Sequence, residues 1–257
     1  EYSVPVTFRA AGTSLSGQAV SDSVLLVAGK NWEKMHTSDS GATVVLQPGV
    51  VGSKVNDFLK PYGRKFGPDP ASVKSAMVGG IVMNNASGMS CGTLYNSDRT
   101  LISARIVFAD GSRLDTSDPV SIAAFKTSHQ GFIDEIIAIR DEINHDHQLV
   151  ERIRNKYSIK NVTGLNLLPF VEYSDPIDII LHSMAGSEGT LAFISSITYN
   201  TVVEHPHKGL ALMIFPTIKE ACEAVQILKQ QPVSAVEMMD RASIKSVENA
   251  AGVPEYI

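Results

Sequence analysis

Apolar positions come in short β-branched runs through the first third of the chain, and this pattern predicts strands joined by small-residue loops. Val4 to Arg9 is β-prone and leads straight into Ala10-Ala11-Gly12-Thr13-Ser14-Leu15-Ser16-Gly17, a strand followed by a loop. Val24 to Ala28 and Thr43 to Gln47 are further runs bounded by Gly, Ser and Asp. Val51, Val55, Phe58 and Leu59 fall at helical spacing and predict a short helix ending near Pro61 and Gly63. After Gly67-Pro68-Asp69-Pro70-Ala71-Ser72, the stretch Gly79 to Gly92 is rich in Gly and Asn and reads as a long loop. Arg105 to Ala109, Asp110-Gly111 and Arg113-Leu114 predict a hairpin with a dipeptide that favours a type I′ turn.

Beyond residue 120 the period changes. Phe132, Ile133, Ile136, Ile137 and Ile143 make one helical stripe, and Leu149, Val150, Ile153 and Tyr157 make another. Phe193 to Val203 returns to strand. A new unit begins near His205-Pro206-His207, which divides the chain into domains 1–205 and 206–257. In the second domain Leu210 to Phe215 predicts a buried strand, Ile218 to Leu228 a helix and Val233 to Met239 another strand. Thr217 and Glu220 have the capping-box spacing at the start of that helix. The chain opens at Glu1 close to a strand-like run and stops at Ile257 soon after a helical pattern, so it reads as a piece of a longer protein.

Composition narrows the function classes. With 257 residues, 44% hydrophobic and 19% charged, the chain can bury one or two cores. A net charge of -5 argues against a nucleic-acid partner. No apolar run approaches the ~18 residues that cross a bilayer. Cys91 and Cys222 are too far apart for a disulfide framework or a zinc spacing, and no secretory signal is visible. A cytoplasmic location follows as the expectation, with peripheral attachment to the inner face of the membrane as an alternative.

The candidate chemistry lies in three glycine-rich segments. A tight turn of small residues can aim several backbone N–H groups at a pyrophosphate, and Gly12 to Gly17 has that character. Gln18-Ala19 follows Gly17, which excludes a P-loop, and the three-glycine dinucleotide fingerprint is absent. Judged alone, a glycine turn between strands is the simpler reading. Gly79-Gly80 and Asn84-Asn85-Ala86-Ser87-Gly88 place little bulk along a segment that could lie against a flat ring system. Gly186-Ser187-Glu188-Gly189-Thr190-Leu191 flanks a carboxylate with glycines, with a solvated turn as the alternative.

Taken in order, Arg9 to Gly17, Gly67 to Ser72, Gly79-Gly80 with Asn84, Phe108 to Gly111 and Gly186 to Leu191 resemble FAD-linked oxidases of the vanillyl-alcohol-oxidase type. Within that family the motifs are most similar to D-lactate and D-2-hydroxyglutarate dehydrogenases. Lys156 to Asn161 with Gly164 resembles the long subgroup that carries an iron–sulfur segment after the flavin module. The resemblance implies an α+β chain, with the two-subdomain PCMH-type FAD-binding fold followed by the start of an α+β cap. The family's first β-unit and most of the cap fall outside the sequence.

The resemblance also implies non-covalent FAD. Ala10, Ala11, Gly12, Thr13, Ser14, Leu15, Ser16, Gly17 and Gln18 would wrap its pyrophosphate. Pro68, Asp69, Pro70 and Ser72, with Gly79, Gly80, Asn84, Ala86, Ser87, Gly88 and Gly92, would line the flavin and ribityl chain. Glu188, Gly189 and Ile194 would sit near the adenosine. Ala10 and Ala192 stand where the family often has glycine. The implied substrate is a small D-2-hydroxy acid, and the residues specify no electron acceptor. In the family the substrate-binding basic residues and metal-binding histidines lie in the cap, so no catalytic residue and no metal site is assigned in this chain. By itself the chain is expected to be catalytically silent and to hold FAD poorly. A non-catalytic nucleotide-binding module of the same fold, or an oxidase of another alcohol, remains the alternative.

Three other features have simpler readings. His145-Asp146-His147 would point to opposite sides of a helix, so a solvated helix face is expected there. Cys91 lies in the flavin-lining stretch, but Ser90-Cys91-Gly92 resembles non-covalent members. Cys222 is expected in the core.

Overall fold

In the computed structural model residues 4–89 and 91–251 are described; Ser90 and both chain ends lie outside them. The chain divides into two compact units, one running to Pro206 and one starting at His207.

The first unit holds two sheets. β1 (Val6–Arg9) and β2 (Val24–Val27) pair in parallel, with Val6 opposite Val24. The main sheet is antiparallel and contains β3 (Met35–Thr37), β4 (Thr43–Leu46), β5 (Arg64–Phe66), β6 (Leu101–Val107), β7 (Arg113–Asp115) and β8 (Phe193–Val203). Its order is β3-β4-β8-β6-β7, with β5 pairing the last residues of β8. Ile197, Tyr199 and Thr201 alternate inward along β8 as a period of two requires. Ile194 is also buried, out of that phase, because Arg105 pairs with Ser196 while Ile106 pairs with Ile194. The bulge at Ser195 turns the strand so that both isoleucines face the core.

Helices cover the inner face. α1 (Gly52–Leu59) contributes Val55 and Leu59, and α2 (Val78–Met83) contributes Val78, Ile81 and Val82. Between β5 and β7 lies the single turn α3 (Ser97–Thr100). The region after β7 is helical: α4 (Pro119–Ser128), α5 (Gln130–His145), α6 (His147–Tyr157), α7 (Pro169–Glu172) and α8 (Pro176–Ser183). Ile143, Val150, Ile153 and Leu168 close a second, smaller core there. Asp146 ends α5 and caps α6, accepting from the N–H groups of Gln148 and Leu149, each at 3.0 Å. The two histidines beside it therefore sit at a corner between helices rather than on one helix face. No cluster of metal-ligating side chains occurs among the described residues.

Two expectations are corrected in the first unit. The stretch from Gly79 is not all loop, since Val78–Met83 is helical and packs Val78, Ile81 and Val82 inward. The hairpin turn is not type I′, which needs positive φ at both central residues. Only Gly111 is left-handed, at φ 84°, and Gly111 N–H donates to Phe108 O while Phe108 N–H donates to Ser112 O. This is a type I turn closed by a left-handed glycine.

The second unit contains α9 (Ile218–Leu228) and α10 (Arg241–Val247). The capping box forms as expected, with Thr217 Oγ1 accepting from Glu220 N–H and Glu220 accepting from Thr217 N–H. The two expected strands do not form. Leu210 to Phe215 forms no strand and is largely exposed, with Leu210 at 100% and Ile214 at 75% exposure, and Val233 to Met239 is likewise unpaired. β-Propensity expresses fit to a pleated, half-buried surface, and neither run has a partner edge among the described residues. Cys222 is exposed rather than core, because α9 buries none of its residues.

Candidate functional site

A groove of about 290 Å³ gathers the three glycine-rich segments in the first unit. Ala10, Ala11, Gly12, Thr13, Ser14 and Gln18 form one wall, running out of β1. Pro70 and Ser72, then Gly79, Gly80, Asn84, Ala86 and Ser87 on and after α2, form the floor. Glu188, Gly189 and Ile194 close it from the turn that enters β8. The remaining residues singled out in the sequence stand outside this lining. Leu15, Ser16 and Gly17 ride on the outer side of the first loop, where Leu15 is fully exposed. Pro68, Asp69, Gly88 and Gly92 do not line the groove either.

Backbone conformation explains one of the glycines and close approach another. Gly12 has φ 69°, and a Cβ there would come within 2.5 Å of the Arg9 guanidinium, which folds back over the loop. Gly88 lets the second segment touch the Gly67 to Ser72 stretch, since a Cβ there would overlap the Asp69 carbonyl oxygen. Gly88 thus sets the position of the floor without lining it.

The end of α2 is built as a Schellman motif. Asn85 is left-handed at φ 50°, its N–H donates to Val82 O, and Ala86 N–H donates to Ile81 O. The turn before β8 completes this helix end, with Gly186 N–H reaching Val82 O at 3.2 Å and Glu188 N–H reaching Met83 O at 2.8 Å. Gly186, Glu188 and Gly189 all have positive φ, so this turn is built on the helix end rather than free in solvent. A polar relay then crosses the groove wall. Ser14 Oγ donates to Gln18 Oε1 at 2.5 Å, Gln18 Nε2 donates to Glu188 Oε2 at 3.1 Å, and Asn84 Nδ2 donates to Glu188 Oε1 at 2.7 Å.

Sequence reasoning about the site assigned no role to Phe8, Lys160, Val162 and Phe193, which line the groove together with Arg9 and Ala192. The side chains of Arg9 and Lys160 have no ion-pair or hydrogen-bonding partner among the described residues, so two cationic side chains face the groove. Lys160 follows α6, and its loop is held by Tyr157, whose hydroxyl donates to Leu165 O and accepts from Leu167 N–H. Phe8 and Phe193 stack at 4.5 Å at the β1 end, with Trp32 edge-on to Phe193 at 5.3 Å. The signal for Lys160 was present in Lys156 to Asn161, which sequence reasoning used only to recognise a subgroup.

Behind the floor lies a buried polar layer. Asp98 is 8% exposed, its N–H donates to Asn85 Oδ1, and its carbonyl meets His182 Nδ1 at 3.0 Å. Burial raises the Asp98 carboxyl above its ordinary 3.8, with Arg99 partly opposing the shift. Burial also lowers the His182 imidazole. A carboxyl raised in the folded state stabilises the fold below its unfolded pKa, and that stability is lost as pH rises through the folded value. Asp98→Asn should therefore gain stability over the wild type between acid and neutral pH, read as the Tm difference across a pH series. A constant difference would show that Asp98 titrates as it does in the unfolded chain.

Ser128, His129 and Asp110 line up elsewhere, with Ser128 Oγ at 2.8 Å from His129 Nδ1 and His129 Nε2 at 3.3 Å from Asp110 Oδ2. The Ser128 hydroxyl donates to Ala124 O at 2.9 Å. Its proton is thus directed away from the imidazole, and the trio lacks the geometry of an activated nucleophile.

Comparison with known proteins agrees with this arrangement. Residues 1–117 match the FAD binding domain family, and residues 204–256 match the C-terminal domain of FAD linked oxidases. D-2-hydroxyglutarate dehydrogenase of Haemophilus influenzae is 25% identical over 254 residues, covering 93% of this chain and 24% of that protein. D-lactate dehydrogenase of Archaeoglobus fulgidus is 23% identical over 257 residues, covering 98% of this chain and 46% of that protein. The chain thus spans less than half the length of either. Among solved structures, an alkyldihydroxyacetonephosphate synthase shares the fold, with a TM-score of 0.51 and 16% identity over 87% of this chain and 32% of that one.

Proposed function

We propose that this chain, a member of the FAD-linked oxidases whose two ends match that group's domains, binds FAD in the groove as part of an enzyme that oxidises a D-2-hydroxy acid to the 2-oxo acid. The observation that carries the reading is the groove wall at Gly12, where a left-handed turn of small residues lies against the Arg9 guanidinium. Backbone N–H groups of a small-residue loop and an adjacent guanidinium suit a pyrophosphate. When bound, FAD supplies the acceptor for the hydride equivalent leaving the carbinol carbon. The loop at Ala10 to Gln18 holds the phosphates, and α2 with Ala86 and Ser87 offers a flat floor of small groups to the ring. Lys160 adds positive charge at the same groove. The substrate class rests on the names of the relatives, which are D-2-hydroxy acid dehydrogenases.

The reading includes non-covalent attachment. Cys91 is buried at 2% exposure, and its Sγ accepts from Gly88 N–H at 3.0 Å, away from the groove lining. Acid precipitation of the flavin-loaded protein should release all colour into the supernatant. Colour kept in the pellet and lost in Cys91→Ser would overturn this part. The reading extends, on the resemblance of Lys156 to Asn161, to an iron–sulfur segment elsewhere in the enzyme. No helix among the described residues is long and apolar enough to cross a membrane.

Because the loop is suited to a pyrophosphate, FAD should bind the full-length protein at least tenfold more tightly than FMN, a difference of about 1.4 kcal/mol. Equal affinities in a fluorescence titration would refute the assignment of the loop. Anaerobic mixing of the full-length protein with D-lactate and D-2-hydroxyglutarate should bleach the flavin with at least one of them. Bleaching by neither would refute the substrate class.

A further inference from the structure

A carboxylate in the wall of a groove that takes a dianionic ligand should weaken binding unless its charge is turned elsewhere. Glu188 is such a carboxylate, and its two oxygens are both occupied by protein amides. Oε1 accepts from Asn84 Nδ2 at 2.7 Å and Oε2 accepts from Gln18 Nε2 at 3.1 Å. We infer that Glu188 is a positioning residue: it latches the phosphate-facing loop to the end of α2, and supports FAD binding through Gln18 and Asn84 rather than by touching the cofactor. The inference rests on the FAD reading of the groove.

Three observations support it. The loop has little else to hold it. The Gln18–Glu188 bond is the one side-chain hydrogen bond from residues 10–18 to any residue outside them, among the described residues. Ser14 extends the latch into the loop, since its hydroxyl donates to the same Gln18 side chain whose amide reaches Glu188. This connects the loop to segments distant in sequence, because Gln18 and Glu188 stand 170 positions apart and Asn84 and Glu188 stand 104 apart.

The backbone gives the third. Glu188 has φ 55°, one of two non-glycine residues with positive φ among those described, and it lies between Gly186 at 89° and Gly189 at 75°. A glycine would be less strained at this position. If Glu188 served the turn alone, its side chain would add nothing and its backbone would be unfavourable. The side chain is accounted for by what it holds.

The strain makes the latch separable from the fold. In the full-length protein, Glu188→Gly should keep or raise the Tm of the flavin-free form, while the FAD dissociation constant rises roughly tenfold, as loss of a hydrogen bond to a charged group predicts. Gln18→Ala should weaken FAD binding by a similar factor. The double variant should be no weaker than Glu188→Gly, because both changes open the same latch. FMN affinity should barely move in Gln18→Ala, since FMN has no pyrophosphate for the loop to hold. Wild-type FAD affinity in Glu188→Gly, or losses that multiply in the double variant, would overturn the latch and leave the FAD reading standing. A wild-type protein that binds no FAD would overturn both.

Discussion

Gly88→Ala is expected to lower the melting temperature by about 10 °C, because the new methyl would occupy the space of the Asp69 carbonyl oxygen. Neither partner is a side chain that can change rotamer, so two backbone segments must separate. Overpacking of this kind costs about 3 kcal/mol or more, and each kcal/mol moves Tm by about 2–4 °C in a domain of this size. Gly92→Ala is the control. Gly92, unlike Gly88, has positive φ, at 50°, and a Cβ there meets nothing within 4 Å. Its cost should be confined to the left-handed backbone, about 1 kcal/mol. A loss in Gly88→Ala no larger than in Gly92→Ala, read by calorimetry, would show that the two backbone segments separate at little cost.

Gly12→Val should abolish measurable FAD binding, with a loss of at least about a hundredfold, or 2.7 kcal/mol. Three effects act together. The branched side chain adds bulk to the groove wall, its Cβ displaces the Arg9 guanidinium from within 2.7 Å, and the left-handed φ of 69° is strained for any β-branched residue. The flavin-free protein should lose much less, since the loop is exposed and contributes little to the core. The pair of measurements to make is FAD affinity by titration and Tm without ligand. Retained affinity would place the pyrophosphate elsewhere in the groove.

The sequence was most legible where chemistry and local geometry coincide. The loop after β1, the helix from Gly52 and the capped helix from Ile218 follow from small residues, period and capping signals that act within a few residues. The groove itself is a long-range fact. Phe8 and Phe193 meet across the whole first unit, and no local pattern announces that contact. α2 was hidden because Gly79-Gly80 lowers helix propensity, and packing of Val78, Ile81 and Val82 overrides it. α8 had a legible start in Asp175-Pro176, where Asp175 accepts from Ile177 N–H at 2.7 Å, but its apolar run shows no amphipathic face because it is buried on several sides. The strands expected at Leu210 and Val233 failed for the opposite reason. Composition alone cannot supply the edge they would pair with.

The central place of β8 has a consequence for how the protein is made. β8 joins β4 to β6, and its partners at Thr43–Leu46 and Leu101–Val107 are synthesised long before it. At about 5–20 residues per second, β4 waits on the order of ten seconds or more for its partner to be translated. During that interval Val44 and Leu46 belong to a sheet without its middle strand, and the hairpin of β6 and β7 is the part that can form locally. Folding of the first unit is therefore set by a late, long-range closure, a high-contact-order step that leaves apolar edges open to chaperones until Val203 emerges.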